Sequence, residues 1–189
     1  MVRKAVWALA FALVPSPAPA SPPALTPSQI LALVKATPQL KIDRSVPPSS
    51  AFDSKSHPYV DLLGAPEGQA IGGYVTSELA HQGTLTSGYE VVAVPLDSGG
   101  SGGVFTQIVF ARRGHVPFVY AGHIDSAGHL GVQVERGKLV ATLPYYAAKD
   151  PNCCPSKFIV ATYTIRDGKL RRTTQRMIPT PKPSPQRPP

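Results

Sequence analysis

Cysteine is nearly absent from this chain: there are two in 189 residues, and they are neighbours, Cys153 and Cys154. With no third thiol, an intramolecular bridge can only join this vicinal pair. Their α carbons stand about 3.8 Å apart across a trans peptide, against about 4.4–6.8 Å in a relaxed bridge, so such a ring is strained. No C-x-x-C spacing marks a dithiol redox centre. Long apolar runs are missing after residue 14, so no later stretch can cross a bilayer core of about 30 Å as a helix. Acidic residues are missing from Lys169 to the end. There is no P-loop, no dinucleotide fingerprint and no pair of carboxylates spaced for glycosidase work, so catalysis has no positive support.

What is present begins with an export signal. Arg3 and Lys4 precede an apolar run from Ala5 to Val14, and Ala18-Pro19-Ala20 is an A-x-A cleavage site that would leave Ser21 as the new N-terminus. No cysteine stands at the cut, so the lipid attachment of a bacterial lipoprotein is chemically excluded. The expected location is the periplasm or the medium, with no transmembrane segment after cleavage.

The formal charge of +8 and isoelectric point near 9.7 are unevenly spread. Between Ser21 and Gly168, eleven basic and eleven acidic residues cancel. Lys169, Arg171, Arg172, Arg176, Lys182 and Arg187 then carry the whole excess, +6 for the chain after cleavage. A neutral body with a basic end argues against specific nucleic-acid recognition. It suits either a solvated tail or weak, salt-screened contact with an anionic surface.

Prolines divide the chain: six fall in the first 27 residues and six in the eleven from Pro179 to Pro189. The latter stretch, 179–189, cannot join a sheet interior and reads as a disordered polyproline-like tail. Residues 21–178 are expected to form one secreted domain. Within it, Thr26-Pro27-Ser28-Gln29 has the form of a capping box and opens a helix over about 27–37, ended by Pro38. Residues 38–88 are loop-rich, because prolines at 38, 47, 48, 58 and 66 interrupt every apolar run. Residues 89–178 read as a β-meander with strands at 89–94, 104–111, 116–121, 130–134, 139–145, 158–165 and 170–177. Arg113-Gly114, Ser126-Ala127-Gly128, Arg136-Gly137 and Asp167-Gly168 supply tight turns between them. Val104 to Ala111 is apolar on both faces and is the candidate central strand. The fold class is therefore mainly β (α+β): a single antiparallel meander sheet of about six to seven strands, curled or barrel-like closure being an option, with one N-terminal helix. An edge left open could pair with another chain.

Three motifs permit chemistry. Gly99-Gly100-Ser101-Gly102-Gly103 satisfies G-x-S-x-G, but a nucleophile elbow needs a strand, a sharp turn and a helix, whereas Val104 onward reads as a strand. A flexible hairpin or bulge loop is the alternative. His123 and Asp125 share a strand face, and with His129 across a turn they outline a zinc or copper site. Surface histidines near turns are the plain alternative, and no metal or other cofactor is assigned. The Cys153-Cys154 pair is either a rigid turn or, if strained and reducible, a redox or ligand-gripping element.

Gly99-Gly100-Ser101-Gly102 leading to Phe105, then Asp150-Pro151-Asn152-Cys153-Cys154-Pro155-Ser156, then Tyr163 ahead of Gly168-Lys169-Leu170, resemble a family of exported bacterial domains of unestablished function. In that family GGSG is followed by a strand pair, DPxCCP[ST] and a final Tyr-containing strand; mycobacterial lipoproteins of the LppP/LprE type have a similar CCP[ST] turn. The similarity spans roughly residues 89–172 and implies a place outside the cytoplasm, without implying a reaction. Where those relatives often carry an acidic Asn-Gly-Asp-Gly-like stretch, Thr84-Leu85-Thr86-Ser87-Gly88 offers no carboxylate for calcium.

These readings converge on an exported, noncatalytic β-domain that offers two loops, 97–103 and 148–157, to an envelope component or small ligand. Gly99, Gly100, Ser101, Gly102, Asp150, Pro151 and Pro155 are the binding-loop candidates. A thiol–disulfide protein or enzyme acting through Cys153 and Cys154, and a metal-binding protein using His123, Asp125 and His129, stay open beside it.

Overall fold

The computed structural model describes residues 23–64, 71–100, 103–151 and 154–180. The expected signal at 1–20 and nearly all of the proline-rich tail lie outside them.

Helix α1 (Pro27–Lys35) starts where the capping box places it. The Thr26 hydroxyl accepts from the Gln29 amide, and the Gln29 carboxamide accepts from the Thr26 amide at 2.8 Å. Ile30 and Val34 are buried, Leu33 packs beside them, and the helix ends at a cap on Ala36, short of Pro38.

The fold is mainly β, antiparallel throughout, with strands β1 (Leu40–Ile42), β2 (Tyr59–Leu62), β3 (Gly72–Val75), β4 (His81–Thr84), β5 (Tyr89–Asp97), β6 (Val104–Arg113), β7 (Val119–Asp125), β8 (Gly131–Glu135), β9 (Lys138–Tyr145), β10 (Lys157–Arg166) and β11 (Lys169–Pro179). The strands do not make one meander sheet. The first seven form one sheet in the order β1-β2-β3-β5-β6-β7, with β4 paired to β5 beside β3; the last four form a second, β11-β10-β9-β8, and neither closes on itself. The division falls after Asp125, because β7 pairs only with β6 and β8 only with β9. Its cause is apolar alternation: Val91, Ala93, Val109, Ala111 and Ala121 on one sheet need a partner face, and Val132, Leu139, Ala141 and Ile165 on the other supply it.

The boundaries differ from the expectation in two places. The loop-rich span 38–88 contains four strands of three or four residues, too short to establish a period. The strand expected at 116–121 runs instead from Val119 to Asp125, starting beyond Pro117, which has no amide to give a ladder. At Arg136-Gly137 and Asp167-Gly168 both turn residues have positive φ (47° and 71°; 51° and 71°), the two-residue hairpin geometry that the sequence implies.

Strands β5 and β6 form the centre and are covered on both sides. Their other face, Val92, Val94, Leu96, Ile108 and Phe110, packs on Ile30 and Val34 of α1 and on Leu40, Val60, Leu62 and Val75 from the short strands. The two sheets approach closely at Gly83, where a β carbon would lie 2.8 Å from Cγ1 of Val134; a larger residue would force them apart.

Candidate functional site

The segment between β1 and β2 carries Pro47, Pro48 and Pro58 and is shaped by side-chain-to-backbone turns rather than a ladder. Asp43 accepts from the Ser45 hydroxyl (2.6 Å) and amide (2.8 Å), which holds its carboxyl below the ordinary aspartate value. Asp53 accepts from the amides of Lys55 (2.9 Å) and Ser56 (2.8 Å); the Ser56 bond leads in lowering its carboxyl pKa. These turns bring Phe52, His57 and Tyr59 to Tyr74 of β3. Phe52 stacks on the Tyr74 ring (centroids 5.4 Å apart), and Tyr59 meets it edge-on at 5.2 Å. Tyr74 is buried and donates its hydroxyl to the Pro47 carbonyl at 2.6 Å.

Beside this aromatic cluster lies a pocket of about 390 Å³, lined by Tyr59, Tyr74 and Asp43 and rimmed by Lys35, Arg44 and Lys55. Lys35 comes from the last turn of α1, and the other two from the turn segment. Among the described residues, none of the three cations is in an ion pair. Burial, then the Asp61, Tyr74 and Asp43 charges, raise the Tyr59 hydroxyl above its ordinary value, so it remains a hydrogen-bond donor at neutral pH. Deeper in the same segment, the His57 ring sits 5.1 Å from Phe52, with Nε2 2.9 Å from Glu78 Oε1 and Nδ1 3.5 Å from Asp53 Oδ2.

The glycine loop reaches this site. Gly99 has φ +77°, and a β carbon there would lie 2.5 Å from Tyr74 Cε2 and 3.3 Å from Ser49 Cβ; only glycine allows the loop to lie on the tyrosine. The Asp97 carboxylate accepts from the Gly99 amide at 2.7 Å. Gly100 is exposed with open space around it, while Ser101 and Gly102 lie outside the described residues. Val104 opens a strand, so the strand–turn–helix of a hydrolase elbow is not formed.

The second expected loop is organised by Asp150. Its carboxylate accepts from the amides of Ala147 (2.7 Å) and Ser156 (2.9 Å), bonds that lower its pKa, the Ala147 one foremost. The Pro151 carbonyl accepts from the Cys154 amide at 3.0 Å, and the Pro155 carbonyl from the Thr180 hydroxyl at 2.6 Å. Cys153, and with it the vicinal bridge, lies outside the described residues, among which no free cysteine occurs.

His123 and Asp125 do meet, Nε2 to Oδ2 at 3.1 Å. Nδ1 shares a hydrogen bond with the Tyr120 hydroxyl at 2.8 Å, its direction set by the imidazole's tautomer. Thr106 donates to the other Asp125 oxygen at 3.0 Å. Burial foremost, with the Asp125 charge adding, pushes Tyr120 up to about 12, so the phenol stays protonated at neutral pH. Each imidazole nitrogen thus has a polar neighbour, Tyr120 at Nδ1 and Asp125 at Nε2. His129, at φ 41°, does not join them, and no three His, Cys, Asp or Glu side chains gather around a metal position among the described residues.

The sequence reading missed the aromatic–basic pocket. Its residues are scattered over the helix, the loop-rich span and β3; the one local signal is Tyr74 after Gly72-Gly73, a pair that lets an aromatic ring lie against neighbouring backbone.

Fold and pocket together define a mainly β protein of two antiparallel sheets and one helix, with a cationic pocket built on tyrosines. In comparisons with protein-family models, curated proteins and solved structures, nothing matches the chain. No helix among the described residues is long and apolar enough to cross a membrane.

Proposed function

We propose that this is an exported, noncatalytic binding module that takes a small anionic ligand, carboxylate- or phosphate-bearing, in the pocket of Lys35, Arg44, Lys55 and Tyr59. The observation that carries this reading is the set of three unpaired cations around an aromatic wall, against which the Gly99 loop is laid. Lys35, Arg44 and Lys55 outnumber the one carboxylate of the lining, Asp43, so the pocket keeps a net attraction for an incoming anion, and the Tyr59 ring and hydroxyl add an apolar face and a donor. The basic end from Lys169 onward serves as a weaker, salt-screened contact with an anionic surface. Export rests on the signal-like N-terminus. In this reading Cys153 and Cys154 form a vicinal disulfide that stiffens the Asp150 loop; the competing reading is a redox protein acting through the same pair.

Glucose 1-phosphate and glucose are suitable probes, followed by backbone amide shifts of residues 42–59 and 72–75. The phosphate should bind and glucose should not, with at least a tenfold loss in Arg44→Gln/Lys55→Gln, an expected effect of about 1.4 kcal/mol. Equal or absent shifts with both sugars up to about 10 mM would remove the anion-binding reading. The intact mass of exported protein after iodoacetamide, without reductant, separates the two roles of the cysteines: no adduct supports the bridge, and two adducts favour free thiols.

A further inference from the structure

Edge strands expose unpaired amides and carbonyls, and most are kept short or covered. Here β1 has three residues, and β4 and β8 face each other where Gly83 meets Val134. β7 is met by Leu170, whose Cβ would lie 3.1 Å from a β carbon on Gly122. β11 is the long edge: it runs from Lys169 to Pro179 and pairs with β10 alone. Thr173 interrupts its register, the hydroxyl donating to the Thr162 carbonyl at 3.0 Å, and from Thr174 to Ile178 the ladder is regular. Among the described residues, no amide or carbonyl of Lys169–Pro179 bonds to backbone other than that of β10.

The side chains along this edge define what fits it. Two apolar rows cross the sheet and stop there: Leu143, Ile159 and Met177 on one face, Pro144, Phe158 and Ile178 on the other. Leu143 and Ile159 are half-buried, whereas Met177 is 48% exposed, so the first row ends bare. Beside it stands Arg176, with Arg172 and Arg171 beyond the bulge, none of them in an ion pair among the described residues. No acidic residue follows Asp167. A second copy would bring the same cations to the edge and be repelled. The complementary strand has apolar residues opposite Met177 and Ile178 and carboxylates opposite the arginines.

We infer that the open edge of β11 is the docking site for an extended acidic segment of a partner protein, which adds to the four-stranded sheet as a further strand. Its main chain bonds to Thr174–Ile178, its apolar end covers Met177 and Ile178, and its carboxylates meet Arg176, Arg172 and Arg171. The inference rests on the reading of the basic end as a contact for anions and gives that contact a definite partner; it does not depend on the cationic pocket.

The test uses the peptide acetyl-Thr-Ile-Val-Glu-Val-Thr-Glu-Glu-amide and two controls. One has lysine for each glutamate; the other is the acidic peptide N-methylated on its central residues, which keeps the charges and removes the ladder. Binding to the full exported protein is followed at about 0.1 M salt through backbone amide shifts and hydrogen exchange. The acidic peptide should bind at least tenfold more tightly than either control and slow exchange within Thr174–Ile178. Arg171→Thr/Arg172→Thr/Arg176→Thr, compared at a concentration where both proteins are monomeric, should weaken it at least tenfold. Equal affinity for the N-methylated peptide would reduce the edge to a charged surface, and equal affinity for the lysine peptide would remove the role of the arginines; either overturns the proposal. So would no binding up to about 1 mM, or a second copy found paired on β11 in the wild type. Shifts at residues 42–59 and 72–75 in place of β11 would overturn it while supporting the cationic pocket. The three peptides on the wild type decide even if the variant fails to fold.

Discussion

Gly99 shows how one backbone angle couples a loop to a pocket. At φ +77° an L side chain is strained, and the β carbon would stand 2.5 Å from the Tyr74 ring. Gly99→Ala is expected to cost about 1–3 kcal/mol and to move Tyr74, read by urea unfolding together with the near-ultraviolet tyrosine signal. An unchanged midpoint and spectrum would mean that the loop does not rest on the ring. Asp150 gives a pH-dependent case. Its folded pKa is depressed by the Ala147 and Ser156 bonds, so its contribution is present above the unfolded value near 3.9 and is lost as pH falls through the lower folded value. Protection of the Ser156 amide against exchange should therefore fall below about pH 4, and Asp150→Ala should abolish it at neutral pH. Persistent protection in that variant would leave the loop's order to other contacts.

At the level of elements, legibility followed the length of the pattern. The capping box predicted α1 because all four of its residues are local, and Thr26→Ala should cost about 1 kcal/mol, measurable by chemical denaturation. β5, β6 and β8–β11 were readable because each has at least five residues with turn signals at its ends. β1–β4 were not, since a strand of three or four residues is defined by the partner it finds, as Leu40 finds Leu62 and Gln82 finds Val92. The same limit hid the break into two sheets: alternation at 130–135 says that one face is buried, and only the tertiary arrangement says against what. It hid the aromatic–basic pocket too, because Lys35, Arg44 and Lys55 are ordinary surface residues until the fold brings them beside Tyr59 and Tyr74. His123 and Asp125 were legible as a pair from two-residue spacing, whereas the polar neighbour of the other imidazole nitrogen is Tyr120, displaced onto the same side by the irregular register between Val109 and Phe110.

In the whole molecule, burial and charge are arranged in opposite directions. β5 and β6 are enclosed by the helix layer on one side and the second sheet on the other, and Phe110, fully buried, is the largest side chain they send into the helix-side core; Phe110→Ala is expected to lose about 3–5 kcal/mol of unfolding free energy in a denaturant titration. The far edge is built otherwise. β11 pairs with β10 from Lys169 to Pro179, and its outer side is open, so a strand of this length offers unpaired amides and carbonyls to any second copy. Lys169, Arg171, Arg172 and Arg176 lie along it, all exposed, on a strand in which only Leu170 and Ile178 are partly covered. Like charges on two such edges repel, and that repulsion is screened within about 10 Å at 0.1 M salt. The charges are therefore a guard on the edge, and they are removed without loss of the strand by substitution rather than truncation. Arg171→Thr/Arg172→Thr/Arg176→Thr should associate at lower protein concentration than the wild type in low salt, seen by sedimentation velocity, and the difference should shrink as salt is added. Identical sedimentation of the two proteins in low salt would show that the edge is protected by its shape and twist, leaving the charges to act on partners alone.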